Sequence, residues 1–438
     1  MLLPRPEHAP TSQASPTNAA SGTAVANADG SARARRANRI SSFEPAPDAR
    51  EVVAGKVIRF AQDRLGVVHA MARHYKVAVP QDVERFFSAV QAGHWEDIHA
   101  LFNSLKKLKD SGEGNEDLKK LWPAILETFG VAEVAHDWPA QKLLDYGQDV
   151  LGSLRPGMVY VGGTDSGRFI PTLLNETGDD ERRVVLTQNA LADSSYLEYL
   201  RFLYSDRMTL PTQENFQRAF QDYTSDAQER LVHDQQFPDE PKQVRPGEDI
   251  RSIDGKAQVS GQVAVMLINE KLFQMIMDKN PTLSFALQES FPFKSTYPNA
   301  APLGPIMELG VPDVQKTFTA DAAAQTVDYW RTAAQSLLTD SENTGDSPAL
   351  KAYSKMAATQ ARLLEDHNFT TEAEQTYRLA TSMEPSFPDA VLPYVNFLSS
   401  QKRFAEAVPV LETAANAAPD NQQFRGLLQS VKRAAGRN

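Results

Sequence analysis

Gly157–Phe169 reads GMVYVGGTDSGRF. The bulky apolar run Met158–Val161 stops at two glycines. A threonine, an aspartate, a serine, a third glycine and an arginine follow. A strand that ends in a glycine turn and opens a helix is the first unit of an α/β layer, so this stretch decides the fold of the middle of the chain. The pair Gly162 and Gly167 is spaced as in a phosphate-binding loop. The next residues break that pattern: Arg168 stands where the lysine belongs and Phe169 where the magnesium-holding Ser or Thr belongs. A hydrolase nucleophile elbow is excluded too, because Thr164 stands two residues before Ser166, where glycine is required. Two readings remain open. In one, the glycines permit a tight turn and Thr164, Asp165 or Ser166 caps the helix. In the other, the turn from Gly162 through Gly163, Thr164, Asp165, Ser166 and Gly167 binds an anion or a sugar at a helix N-terminus, with Arg168 nearby.

Outward from the turn the pattern alternates. Helix Ala140–Leu154 precedes the strand, and a short helix Arg168–Glu176 and a strand Val184–Thr187 follow. Helix Ser195–Tyr204, a polar helix from about Gln213 to Val232, and Ile250–Ser260 with the Asp-Gly signal of a hairpin come next. Helix Gln262–Asp278 and strands Thr282–Gln288 and Pro305–Leu309 complete residues 139–318. These residues are expected to form a Rossmann-like α/β domain with a mainly parallel sheet. Ligands in such sheets bind beyond the carboxyl ends of the strands. The second strand ends in two amides, Gln188 and Asn189, with Asp193 close behind. The candidate ligand-binding set is therefore the 162–168 turn together with Gln188, Asn189 and Asp193. Read structurally instead, Ser195 and Glu198 form a capping box. The polar stretch His233–Asp249, HDQQFPDEPKQVRPGED, reads as a surface loop that can cover this edge, and Glu289–Ser290–Phe291 closes a further strand beside it.

Residues 46–138 read as a helical region. Val83, Phe86, Phe87 and Val90 mark one helix face, and Ile98, Leu101, Phe102 and Leu105 the next. Leu118–Phe129 is a further helix with Pro123 near its first turn. His94 and His99 lack the spacing of a helix-borne zinc pair and read as a solvated helix end. Residues 1–45, rich in Ala, Ser, Pro and Thr, read as a disordered tail containing Arg33, Arg35, Arg36 and Arg39. Residues 319–438 are helical with an internal period. Ala373 and Ala407, Tyr377 and Leu411, Ala380 and Ala414, and Pro385 and Pro419 are each 34 residues apart, which is the tetratricopeptide pattern. EAEQTYRLATSMEP and EAVPVLETAANAAP are the matching second helices. The first-helix match is looser, with a one-residue slip at Phe369 and Phe404. Gln422–Ala434 is expected to cap the stack.

The 438 residues carry a formal charge of −11, which argues against a general nucleic-acid binder. The absence of cysteine excludes disulfides, thiol catalysis and thiolate metal sites. No apolar run approaches the roughly 18 residues of a membrane span, and the first residues lack a signal-peptide apolar region. The chain reads as soluble. Neither a catalytic constellation, a metal cluster nor a cofactor motif emerges.

GGTDSGRFIP, LTQNALADSSYLEYLRFLY, HDQQFPDEPKQVRPGED and QVSGQVAVMLINEKL together resemble the soluble C-terminal region of large bacterial membrane proteins common in Verrucomicrobia. Those are similar to the GT-C transmembrane protein O-mannosyltransferase family, which often carries tetratricopeptide repeats after its membrane core. Many relatives read GGTDPGRF where this chain has Ser166. The resemblance spans roughly residues 75 to 435, and the multi-span catalytic part has no counterpart in the chain. The resemblance implies an extracytoplasmic (periplasmic) accessory module that binds a protein partner through its repeats, in glycosylation or envelope assembly. It carries over no catalytic residue. The alternative is a soluble transferase or hydrolase acting on a glycan or phosphate ligand through Asp165, Arg168, Gln188, Asn189 and Asp193.

Overall fold

The computed structural model describes residues 48–111, 116–163, 165–179, 181–253, 256–288, 293–341 and 347–436. The 1–45 tail, Thr164, the Asp-Gly pair of the hairpin and Glu289–Phe291 lie outside the described residues.

The chain is mostly helical around a small mixed sheet. Helices α1 (Ala49–Tyr75), α2 (Gln81–Ala92), α3 (Trp95–Asp110), α4 (Glu116–Asp137) and α5 (Ala140–Gly152) precede the first strand. α2 buries Val83, Phe86, Phe87 and Val90, the face its spacing predicts, and α3 buries Ile98, Phe102 and Leu105. α4 runs beyond the expected Leu118–Phe129, which places Pro123 inside the helix rather than in its first turn. Its second half, through Val131 and Val134, is apolar enough to be buried on several sides.

Strand β1 (Val159–Gly162) leads into α6 (Asp165–Thr177) and β2 (Val185–Thr187). α7 (Ser194–Tyr204), α8 (Gln213–Gln236), the hairpin β3 (Asp249–Ile253) and β4 (Lys256–Ser260), and α9 (Gln262–Lys279) follow. β5 (Phe285–Leu287), β6 (Ala301–Leu303) and β7 (Ile306–Leu309) close the sheet in the order β2-β1-β5-β7-β6. β1 is parallel to both β2 and β5, as expected, with Gly162 opposite Thr187 and Val161 opposite Leu287. β5 with β7, and β7 with β6, are antiparallel. The mainly parallel expectation therefore holds for half of the sheet. For β6 and β7 the physical reason is the tight turn at Gly304–Pro305: so short a link joins only antiparallel strands. β6 escapes sequence reading because APL is short and holds a proline, which an edge strand tolerates.

α6 is the central helix, with Gly167 to Leu173 buried throughout. It packs on α1, α4, α5 and β1. The short α10 (Val314–Thr317) leads to α11 (Ala320–Thr339), α12 (Pro348–Asp366), α13 (Thr370–Met383), α14 (Pro388–Ser400), α15 (Phe404–Ala417) and α16 (Gln422–Ala435). α12 joins this stack to the sheet: Gln360 Nε2 donates to the Ile306 carbonyl at 2.5 Å. α13 and α15 span the same interval 34 residues apart, as do the starts of α14 and α16. The slip at Phe369 and Phe404 is confined to those two side chains, one capping α13 and the other opening α15.

Candidate functional site

The glycine turn is filled from within. The Gly163 N–H donates to Gln288 Oε1 at 3.1 Å, and Gln288 Nε2 donates to the Tyr146 hydroxyl at 2.9 Å. Ser166 hydrogen-bonds the same hydroxyl. Burial pushes the Tyr146 phenol up, so it stays a neutral hydrogen-bonding group. The Tyr160 hydroxyl donates to the Gly167 carbonyl at 2.6 Å. A side chain on Gly167 would collide with Gln288 Oε1, and one on Gly162 would stand 2.7 Å from the Gly167 carbonyl oxygen. Close approach of backbone and amide therefore requires both glycines. Gly162→Ala is expected to cost about 1–3 kcal/mol in chemical denaturation, because the colliding atom is backbone and cannot rotate away. An unchanged midpoint would mean that the turn relaxes freely.

Asp165 opens α6, and its side chain lies outside the described residues. Arg168 points away from the turn, its guanidinium 4.9 Å from the Phe169 ring centroid and 5.4 Å from that of Tyr196. Gln188 is fully buried in a single helical turn after β2, and Asn189 is half-buried. Asp193 is exposed and caps α7, accepting from the Ser195 N–H at 2.8 Å and the Ser195 hydroxyl at 2.7 Å. The Ser195–Glu198 capping box does not form, because Asp193 takes the cap and Glu198 pairs with Lys120 at 2.6 Å. The parallel pairing of β1 and β2 does bring the turn and Gln188 to one sheet edge. His94 and His99 are exposed at the start of α3, where Trp95 stacks on His136 with centroids 4.4 Å apart. No group of three or more His, Asp or Glu among the described residues is arranged to hold a metal.

Sequence reasoning misses a buried charge cluster beside Arg168. Arg64 on α1 is 4% exposed, and Glu127 on α4 is 7% exposed. Arg64 Nη2 lies 3.0 Å from Glu127 Oε2, and Arg64 Nη1 donates to the Tyr199 hydroxyl at 2.8 Å. That hydroxyl donates in turn to Glu127 Oε2 at 2.7 Å. Burial pushes the Glu176 carboxyl up, opposed by Arg64 at 4.0 Å and Arg182 at 3.5 Å. The cluster ties α1, α4, α6 and α7 together. A signal for it was present: Arg64 falls in the apolar stripe Phe60, Ala61, Val68, Met71 of α1.

His233–Asp249 folds against its own helix. Asp234 accepts from the Gln243 and Val244 N–H groups at 2.7 and 3.1 Å. Glu248, fully shielded, accepts from Arg230, from Tyr223 and from the Arg245 N–H at 2.9 Å. Residues 237–248 are surface loop, and Asp234 and Glu248 clamp it.

The repeat stack carries an open groove of about 710 Å³ between α12 and α14. Its facing residues keep the 34-residue interval: Lys355 with Asp389, Ala358 with Leu392, Thr359 with Pro393, Arg362 with Asn396, and Asp366 with Ser400. Leu392, Pro393 and Phe397 supply apolar wall, and Lys355 pairs with Asp389 at 2.9 Å. Burial pushes the Glu365 carboxyl up, while the Tyr377 hydroxyl donates to it at 3.0 Å. Lys294, from the segment after β5, reaches the same groove.

Residues 366–431 match the tetratricopeptide repeat family model. No curated protein and no solved structure matches the chain. The match covers α13 through most of α16, where Ala373, Tyr377, Ala380, Ala407, Leu411 and Ala414 are buried as the period requires. Such repeats suggest a protein-interaction scaffold, since stacked helix pairs create extended concave surfaces. No helix among the described residues is long and apolar enough to cross a membrane.

Proposed function

We propose that this chain is a non-catalytic interaction module that holds a segment of a partner protein in the groove between α12 and α14, in the service of protein glycosylation or cell-envelope assembly. The groove carries the reading. Two successive first helices present one face at the repeat interval, with apolar wall and polar rims along its length. The glycosylation setting rests on the motif resemblance alone. In the same reading, β2-β1-β5 with α6 crossing over forms a Rossmann-like unit that supports the repeats through α12. The alternative, an enzyme acting on a glycan or phosphate at the turn, asks the ligand to displace the Gln288 amide from the Gly163 N–H.

The test is photo-crosslinking from Asn396, which is exposed in the groove, in cells of the source organism. The expected result is one dominant adduct, identified by mass spectrometry as a glycosylation or envelope component. Leu392→Arg is expected to weaken it at least about tenfold, the scale of one buried apolar anchor, with the helical circular dichroism spectrum retained. Equal adducts from Ser382, across the stack, or an adduct indifferent to Leu392→Arg, would sink the reading.

A further inference from the structure

We infer that an ordered internal water sits between α4 and α6, held by Arg168, Thr172 and Glu127. The Arg168 side chain is 8% exposed, and its Nε and Nη2 find no hydrogen-bond partner among the described residues. Thr172, 2% exposed, has its Oγ1 in the same position. The two residues are four apart on α6 and therefore share one face. Glu127 Oε1 on α4 lies 3.9 Å from Arg168 Nη2, beyond a direct hydrogen bond. The rings of Phe169 and Tyr196 lie over the guanidinium. Aromatic contact attracts the cation without accepting the in-plane N–H groups as a lone pair does.

Buried donors left without acceptors are costly, and folded proteins satisfy them with internal waters that make about three hydrogen bonds each. The chemistry of the three groups selects the occupant. It has to accept from Arg168 and donate to Glu127, while the Thr172 hydroxyl adapts to either role. A halide accepts but cannot donate to a carboxylate, and Glu127 repels both a halide and a phosphate by charge. A metal ion is repelled by the guanidinium. Water meets both demands. On this account the arginine of GGTDSGRF serves a hydrated joint between two core helices, a role separate from any ligand of the turn and from the repeat groove.

The test is a crystal structure of the full chain at a resolution that shows ordered water, with unfolding measurements on Thr172→Val. The expected map has a peak within hydrogen-bonding distance of Arg168 Nη2, Glu127 Oε1 and Thr172 Oγ1. Thr172→Val, which keeps the shape, is expected to lower the folding equilibrium constant about fivefold, the scale of one net hydrogen bond. Two crystallographic results would overturn the inference. One is a guanidinium in direct contact with Glu127 and no peak between them. The other is a peak that takes up bromide on soaking, marking an anion. Thr172→Val at or above wild-type stability would also overturn it. Thr172→Val is close to isosteric, so a fold-level failure does not obscure the outcome.

Discussion

Glu127→Ala is expected to lower the stability of the protein by about 3–5 kcal/mol, the cost of leaving a buried ionic partner uncompensated. Glu127 is the anion that Arg64 meets at 3.0 Å, and it is the acceptor of the Tyr199 hydroxyl. Without it the Arg64 guanidinium, 4% exposed, keeps among the described residues the Tyr199 hydroxyl, the Phe60 ring and a long approach to Glu176. A cation held that far from water is far more costly than a lost surface pair, which is worth about 0–1 kcal/mol. The check is urea unfolding followed by near-ultraviolet circular dichroism. A change within about 1 kcal/mol would show that water reaches the cluster and screens it. The double variant Arg64→Met/Glu127→Leu is expected to recover much of the loss, because removing both charges removes the desolvation cost as well. Four elements meet here, so the transition is expected to be global rather than local.

Glu248→Ala is expected to have an effect of similar size confined to one arm of the molecule. Arg230 is 7% exposed and spends both terminal nitrogens on this carboxylate. The antiparallel pair β3–β4 is a two-stranded sheet, marginal by itself. The Glu248 clamp and the contacts with α8 and α9 hold it. Hydrogen exchange is expected to show β3, β4 and residues 237–248 losing protection while β1, β2 and β5 keep theirs. Uniform protection across the arm would refute this role. Burial pushes the Glu248 carboxyl up, but Arg230, Tyr223 and the Arg245 N–H overcome it and hold the group at about 2. The sign follows: a depressed carboxyl contributes stability above its unfolded value of about 4.3, and that contribution is lost as pH falls toward 2. The arm is therefore expected to loosen in acid before the core does. Hydrogen exchange compared at pH 6 and pH 3 checks this.

Some elements were legible because local chemistry and tertiary demand agree. The run Met158–Val161 is a strand by composition, and Val159–Val161 form one between β2 and β5, buried on both faces. Ala373, Tyr377 and Ala380 recur as Ala407, Leu411 and Ala414 because paired helices approach closely only over small residues, so that spacing survives in the sequence. Other features were hidden for equally physical reasons. β6 is three residues long and holds a proline. The capping residue of α7 is Asp193 rather than Ser195, a choice of one turn that propensities alone do not resolve. The polar set at the turn rests on residue type at two strand ends. In the folded chain Arg168 lies over the Tyr196 ring of α7, Asp193 caps its own helix, and the Gly163 backbone N–H donates to Gln288.

The sequence by itself determined the helix-rich composition, the strands of the parallel half-sheet and the 34-residue period, because each rests on interactions between residues near in the chain or on a repeat that recurs along it. Only the tertiary structure decided that Gln288 fills the glycine turn across 125 residues, that Arg64 meets Glu127 inside the core, and that the facing surfaces of α12 and α14 open a groove. Those pairings depend on which faces meet once the chain has closed on itself. A buried charge is tolerated only where a distant partner arrives, and nothing in the local pattern names that partner.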